Sequence, residues 1–222
     1  TDNSSITLSD YSISGTTSVC IDGDGIGSIK LSNGYLSNAS GGVVNIEDDV
    51  DFTLTDSFLS PTTNATTPVI LSSNQNTSLT ITLKRNMYDG SAALDDIIDI
   101  YANSGTIENE TIFNIPSGKF GLVTRTAGIA LKKSSFIGGG GVGKGALAVL
   151  SLTADDCIFT GLDVGYQRLG GTSILNDCSF TGNTSDTSGI VTNNNPITST
   201  PKMFGSGGKK ILSIPGKGIG FW

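Results

Sequence analysis

One apolar pattern recurs eight times along this chain, and a period of that kind constrains the fold more than any local propensity does. With Ile13, Leu36, Leu59, Tyr88, Phe113, Phe136, Phe159 and Phe180 as anchors, the copies lie 23, 23, 29, 25, 23, 23 and 21 residues apart. Seven residues before the anchors stand Ile6, Ile29, Phe52, Ile81, Thr106, Ile129, Leu152 and Ser173. Five before them stand Leu8, Leu31, Leu54, Leu83, Glu108, Leu131, Ala154 and Leu175. Both columns are nearly uniform and apolar. Three residues before the anchor the column is mostly Asp or Asn (Asp10, Asn33, Asp56, Asp156, Asp177), and two after it Gly recurs (Gly15, Gly90, Gly138, Gly161, Gly182).

The spacing inside a unit has a direct physical meaning. Apolar residues two apart with polar residues between them describe a short strand with one buried face. An Asp or Asn then turns the chain, because its side chain bonds the local backbone and tolerates left-handed geometry. A second strand carries the anchor, and a third apolar patch closes the unit, as in Val43-Val44-Asn45-Ile46, Val69-Ile70-Leu71 and Leu147-Ala148-Val149. Three strands in about 23 residues make one coil of a parallel β-helix, in which equivalent positions stack along an axis. The composition agrees, since 15% charged residues are too few to clothe exposed helix faces.

The units resemble right-handed parallel β-helix coils of the pectate-lyase-like type, best at Asp156-Cys157-Ile158-Phe159-Thr160-Gly161 and Asp177-Cys178-Ser179-Phe180-Thr181-Gly182-Asn183. The resemblance covers residues 6 to about 195. It implies an all-β, single-stranded right-handed solenoid of about eight coils, roughly 35–40 Å long at the strand spacing, over residues 1–195. Residues 196–222 leave the pattern as an extended tail. Lyases, hydrolases, adhesins and phage tailspikes share such coils. The likeness to tailspikes implies a bacteriophage virion protein assembled in the host cytoplasm: a spike, fibre or capsid-decoration subunit. Such a protein is expected to be a homotrimer that binds a bacterial-surface polysaccharide or cements neighbouring subunits. The alternatives are a β-helix polysaccharide lyase or hydrolase using Asp carboxylates, and a bacterial surface adhesin. No lyase motif is legible, so a non-enzymatic role is preferred.

Several classes of function fall away on residue counts. The chain has no His, which removes His-dependent triads and His-ligated zinc or iron, and no cofactor is expected. A net charge of −7 disfavours nucleic acid as a partner. No apolar run approaches 18 residues and the first residues carry no export signal, so neither membrane insertion nor export is expected. Three Cys make an odd number in a chain large enough to do without disulfides, which fits folding in a reducing cytoplasm. The six glycosylation sequons, at Asn3, Asn38, Asn64, Asn76, Asn109 and Asn183, are a by-product of composition.

Four segments imitate chemical motifs. Gly138 to Gly145 follows a phosphate-binding loop as far as Lys144, then places Gly145 where the magnesium-binding Ser or Thr belongs. Asp22-Gly23-Asp24-Gly25 starts like a calcium loop, but Ile26 stands at the third ligand position. Carboxylates cluster at Asp48-Asp49-Asp51, Asp95-Asp96-Asp99 and Asp155-Asp156; solvated turns are preferred to a glycosidase pair, because adjacent residues of a strand face opposite ways. Cys157 and Cys178 share a column with Ser57, Thr111 and Ser134, an expected internal ladder of small residues holding free thiols. A Thr column that suggests ice binding (Thr7, Thr53, Thr82, Thr153) is broken by Lys30 and by Ile107.

Two features point to contacts. The column one residue before the anchors faces outward and contains Tyr35, Phe58, Met87 and Ile112, expected as an exposed apolar stripe for a subunit contact or a sugar. The tail carries Lys202, Lys209, Lys210 and Lys217 with no acid, and ends in Phe221-Trp222. This segment is about +4 against about −11 for the remainder, which predicts docking of the two aromatics on a neighbouring subunit or another virion protein.

Overall fold

The computed structural model describes residues 4–16, 19–24, 27–38, 42–47, 50–61, 66–72, 79–138 and 142–195. Every regular element among them is a β-strand. The strands form three parallel sheets of nine, eight and eight members. The first runs from Ser5–Ser9 to Thr192–Asn194, the second from Ser12–Thr16 to Ser179–Thr181, and the third from Ile21–Gly23 to Ser185–Ser188. The chain visits them in rotation, so each strand pairs with its counterpart one coil later. This is a β-solenoid of about seven turns, and the expected fold class is what the chain adopts.

Register follows the apolar columns. Ile6, Ile29, Phe52 and Ile81 are successive partners, as are Leu8, Leu31, Leu54 and Leu83. Among the anchors, Leu36 pairs with Leu59, Leu59 with Tyr88, Phe136 with Phe159 and Phe159 with Phe180. The fifth coil corrects the sequence alignment by one residue. Tyr88 pairs with Ile112, and Ile112 with Phe136, so the anchor is Ile112 and not Phe113. Gly105 and Ile107 accordingly take the inward places assigned above to Thr106 and Glu108.

The corner residue sets this register. Asp10, Asn33, Asp56, Arg85, Asn109, Lys133, Asp156 and Asp177 all have φ between 50 and 59°. Each stands three residues before its true anchor. Asn109 is the natural occupant of the fifth such corner, since Asn adopts left-handed φ cheaply. Arg85 and Lys133 take the same conformation against their preference, because the stacked coils dictate it.

The core runs the length of the axis. Phe136, Phe159 and Phe180 stack with ring centroids 5.0 Å apart at each step, and Tyr166 meets Phe159 edge-on at 6.4 Å. Gly121, Gly145 and Gly165 lie beside these rings. A Cβ added at Gly145 lies 2.7 Å from the Phe159 ring and collides with the Gly165 carbonyl. The rings therefore need glycine opposite them.

Candidate functional site

One place before each anchor the side chain faces away from the core, except at Ser179, which is buried. In register this column reads Ser12, Tyr35, Phe58, Met87, Thr111, Ser135, Ile158 and Ser179. Tyr35 is 38% exposed, and Phe58 and Met87 are half-buried. The Tyr35 and Phe58 rings stack at 5.8 Å with 11° between their planes. Ile112, expected as the fourth member, is instead fully buried in the anchor column, and Thr111 ends the stripe. The apolar run is therefore three residues over two coil steps, about 10 Å.

Two places before each anchor the side chain points inward, and here the chain builds a polar ladder through the core. Gly34 N donates to Ser57 Oγ (3.1 Å), Ser57 N to Asn86 Oδ1 (2.9 Å), Asn86 N to Glu110 Oε1 (3.3 Å) and Glu110 N to Ser134 Oγ (3.2 Å). Asn86 Nδ2 also donates to Glu110 Oε1 (3.3 Å) and to Leu54 O (2.9 Å). Tyr11 starts the ladder: its ring lies where a side chain at position 34 would be, and its hydroxyl reaches Ser57 Oγ at 3.2 Å. Each side chain thus serves a backbone amide of the coil before it, which satisfies donors at the corner where the sheet ladder is interrupted.

Glu110 is the exceptional member. It is 1% exposed, and its second oxygen, Oε2, has no hydrogen-bond partner; neither has the hydroxyl of fully buried Tyr88, the side chain with which it interacts. Burial pushes the Glu110 carboxyl up to about 8, against smaller opposing effects of Tyr88, Asn86 and the Arg85 charge. The carboxyl is thus neutral at pH 7, and its proton is available to Tyr88. Tyr88 is itself raised well above the ordinary tyrosine value, chiefly by burial. The sequence alignment missed this group because it put Thr111 in the column that Glu110 occupies.

Two of the three carboxylate clusters are engaged by neighbouring coils. Asp99 takes a bidentate contact from Arg125 (2.6 Å for both bonds), and the Arg125 guanidinium lies over Tyr101. Asp95 pairs with Lys119 at 2.8 Å. Asp96 accepts Phe120 N at 2.7 Å, and burial raises its carboxyl. Asp155 accepts from Asn176 Nδ2 at 2.6 Å and Asp156 occupies a corner. Asp51 is exposed, while Asp48 and Asp49 lie outside the described residues. Arg85 bridges to Asp56 on the preceding coil (2.6 Å for both bonds), and Lys84 to Glu108 on the next (2.9 Å).

Of the remaining imitations of motifs, Gly25, Ile26 and Gly139 to Gly141 lie outside the described residues, and the flanking residues are part of the coils. Lys144 belongs to the strand Lys144–Ala148 and sits over the Phe120 ring, while Gly143 and Gly145 are buried against Ile115 and Phe159. Asp22 is in the strand Ile21–Gly23 and accepts from Asn45 Nδ2 at 3.0 Å. Cys157 and Cys178 are free thiols buried in the polar column, and they donate to the carbonyls of Asp155 (3.3 Å) and Ala154 (3.4 Å). Their hydrogen bond to each other, then burial, raises the Cys157 thiol. The corrected register brings Thr106 beside Thr82 and Thr53, but Lys30 and Ala130 still interrupt that column. Phe221 and Trp222 lie outside the described residues. Comparisons with protein-family models, curated proteins and solved structures give no match to the chain.

Proposed function

We propose that this solenoid is a non-enzymatic structural subunit of a bacteriophage particle, a spike, fibre or decoration protein whose copies associate side by side as a parallel trimer. The observation that carries the reading is the run of three successive apolar side chains, Tyr35, Phe58 and Met87, in an outward column whose other members are polar apart from Ile158. A residue pair such as Tyr35 and Phe58 contributes large apolar area with few rotamers to freeze, the usual make-up of a contact hot spot. Each ring spends one face on the other, which favours insertion into a protein surface over stacking beneath a sugar. The particle assignment rests on the likeness of the coils to tailspikes. The carboxylates held in ion pairs and corners support the non-enzymatic part.

Sedimentation velocity of Phe58→Asp tests the interface, and a fall to a smaller species is expected. An unchanged sedimentation profile refutes the stripe as the contact. Incubation with capsular polysaccharide followed by a reducing-end assay tests the absence of enzymatic action, since new reducing ends speak for the lyase or hydrolase alternative. Co-purification with virus particles tests the location.

A further inference from the structure

The two ends of the solenoid differ. At the first coil, Ile6 and Leu8 take inward places beside Ile29 and Leu31, which are 1% exposed, yet Ile6 and Leu8 are 40% and 37% exposed. Tyr11, Ile13, Cys20 and Ile21 are likewise only partly covered. The strands Ser5–Ser9, Ser12–Thr16 and Ile21–Gly23 each stand last in their sheet and pair along one edge only. Among the described residues, this end therefore presents an open apolar cross-section framed by strand edges that pair on one side. At the opposite end the inward places are more polar, with Asn193 over Leu175 and Thr187 over Tyr166, although Phe180 and Val191 there are also only partly covered.

Charge separates the ends in the same sense. Residues 1–29 contain Asp2, Asp10, Asp22 and Asp24 with no Lys or Arg, a net −4. The segment 196–222 carries Lys202, Lys209, Lys210 and Lys217 with no acid, a net +4, together with Ile211, Leu212, Ile214, Ile219, Phe221 and Trp222. An open apolar end with negative charge and an apolar segment with positive charge are complementary in both respects.

We propose that residues 202–222 of one chain dock on the open first coil of a second copy, joining copies head to tail. The segment follows Asn195, the last described residue, beside the strand Thr192–Asn194 at the polar end. Reaching the first coil of its own chain takes a return of about 35 Å along the side of the solenoid, whereas the first coil of a copy stacked on the polar end is directly across the junction. Head-to-tail stacking also keeps every strand of the next copy parallel to those before it. It is a heterologous contact, which builds an open filament or a closed ring according to the rotation per copy. The inference shares with the function proposed above only the premise that the chain acts in an assembly, and the stripe and the tail are separable by experiment.

The test uses the full chain with Phe221→p-benzoylphenylalanine, mixed in equal parts from ordinary and ¹⁵N-labelled preparations, irradiated and analysed by mass spectrometry. The expected product joins position 221 of one isotope to residues 5–24 of the other. Its yield falls roughly tenfold with Leu8→Asp, which removes apolar complementarity at the centre of the contact. The yield also falls as ionic strength is raised, because the attraction is screened. Leu8→Gln, checked by circular dichroism, serves if Leu8→Asp disturbs the first coil. Phe58→Asp leaves the cross-link intact. Cross-links confined to single-isotope products, cross-links to other parts of the chain, an absence of cross-links, or indifference to both Leu8 substitutions overturn the proposal.

Discussion

Replacing Glu110 by Gln is expected to raise stability at neutral pH and to abolish one component of its pH dependence. The folded-state value of about 8 lies above the value near 4.3 of an unfolded glutamate, so the folded chain holds a proton that the unfolded chain releases. The stability tied to that proton is complete below about pH 4. It declines by about 1.4 kcal/mol per pH unit and is fully lost once the pH passes about 8. By pH 7 the loss amounts to about 3.5 kcal/mol, a large share of the margin of a domain this size. Gln keeps the geometry: its Oε1 can accept from Asn86 as Glu110 does, and its amide can donate to the Tyr88 hydroxyl. Urea unfolding of both proteins at unit steps from pH 4 to 9 provides the measurement, and taking the difference cancels the other carboxylates. The difference should be near zero at pH 4 and grow to about 3.5 kcal/mol in favour of Gln by pH 7. A difference that stays flat across this range refutes the idea of a neutral, buried carboxyl.

Two further substitutions probe the stack and the corners. Phe159→Ala empties the centre of the three-ring stack and should cost about 3–5 kcal/mol in urea unfolding; a cost below about 1 kcal/mol would mean that the rings are not close-packed. Lys133→Asn places a residue that accepts left-handed φ at a corner now held by lysine, and should stabilise by about 1 kcal/mol, seen as a higher melting temperature; a lower melting temperature would show that the lysine side chain does more for the corner than its backbone costs.

The fold was legible because a solenoid repeats its own constraints. Ile29, Phe52 and Ile81 are interchangeable apolar residues, and only a stack of coils requires them at one period. In the fifth coil the larger Phe113 competes with Ile112 as the apparent anchor, and only the corner residue decides between them. Asn109 carried the missing signal: aligned with Asp10, Asn33 and Asp56, it returns Ile107 and Ile112 to the core and brings Glu110 into the inward column. The polar ladder was less legible. Nothing in the spacing of Ser57, Asn86, Glu110 and Ser134 says that each side chain serves the amide of the preceding coil, since that depends on the path of the corner in space. The same slip of one residue separates Ile112, buried in the anchor column, from Tyr35, Phe58 and Met87, which share the outer column.

In a solenoid, positions that repeat specify the coil, so those that break a column at no gain to the coil are the natural places to look for contacts. By that criterion the breaks gather in the first half of the chain. Tyr35, Phe58 and Met87 form an unbroken apolar run in the outer column on the second to fourth coils, whereas Ile158 further along stands alone between Ser135 and Ser179. Charge is distributed in the same way: residues 1–60 hold nine carboxylates against one lysine, net −8, whereas residues 61–195 hold eleven against eight bases, net −3. In the second region Lys84, Lys119 and Arg125 are spent on Glu108, Asp95 and Asp99, so the charges there largely close on one another. The first region has one lysine of its own, and although Arg85 reaches back to Asp56 the net charge of this region stays negative. A partner for this half must therefore bring both positive charge and apolar side chains, and residues 202–222 of a second copy bring both.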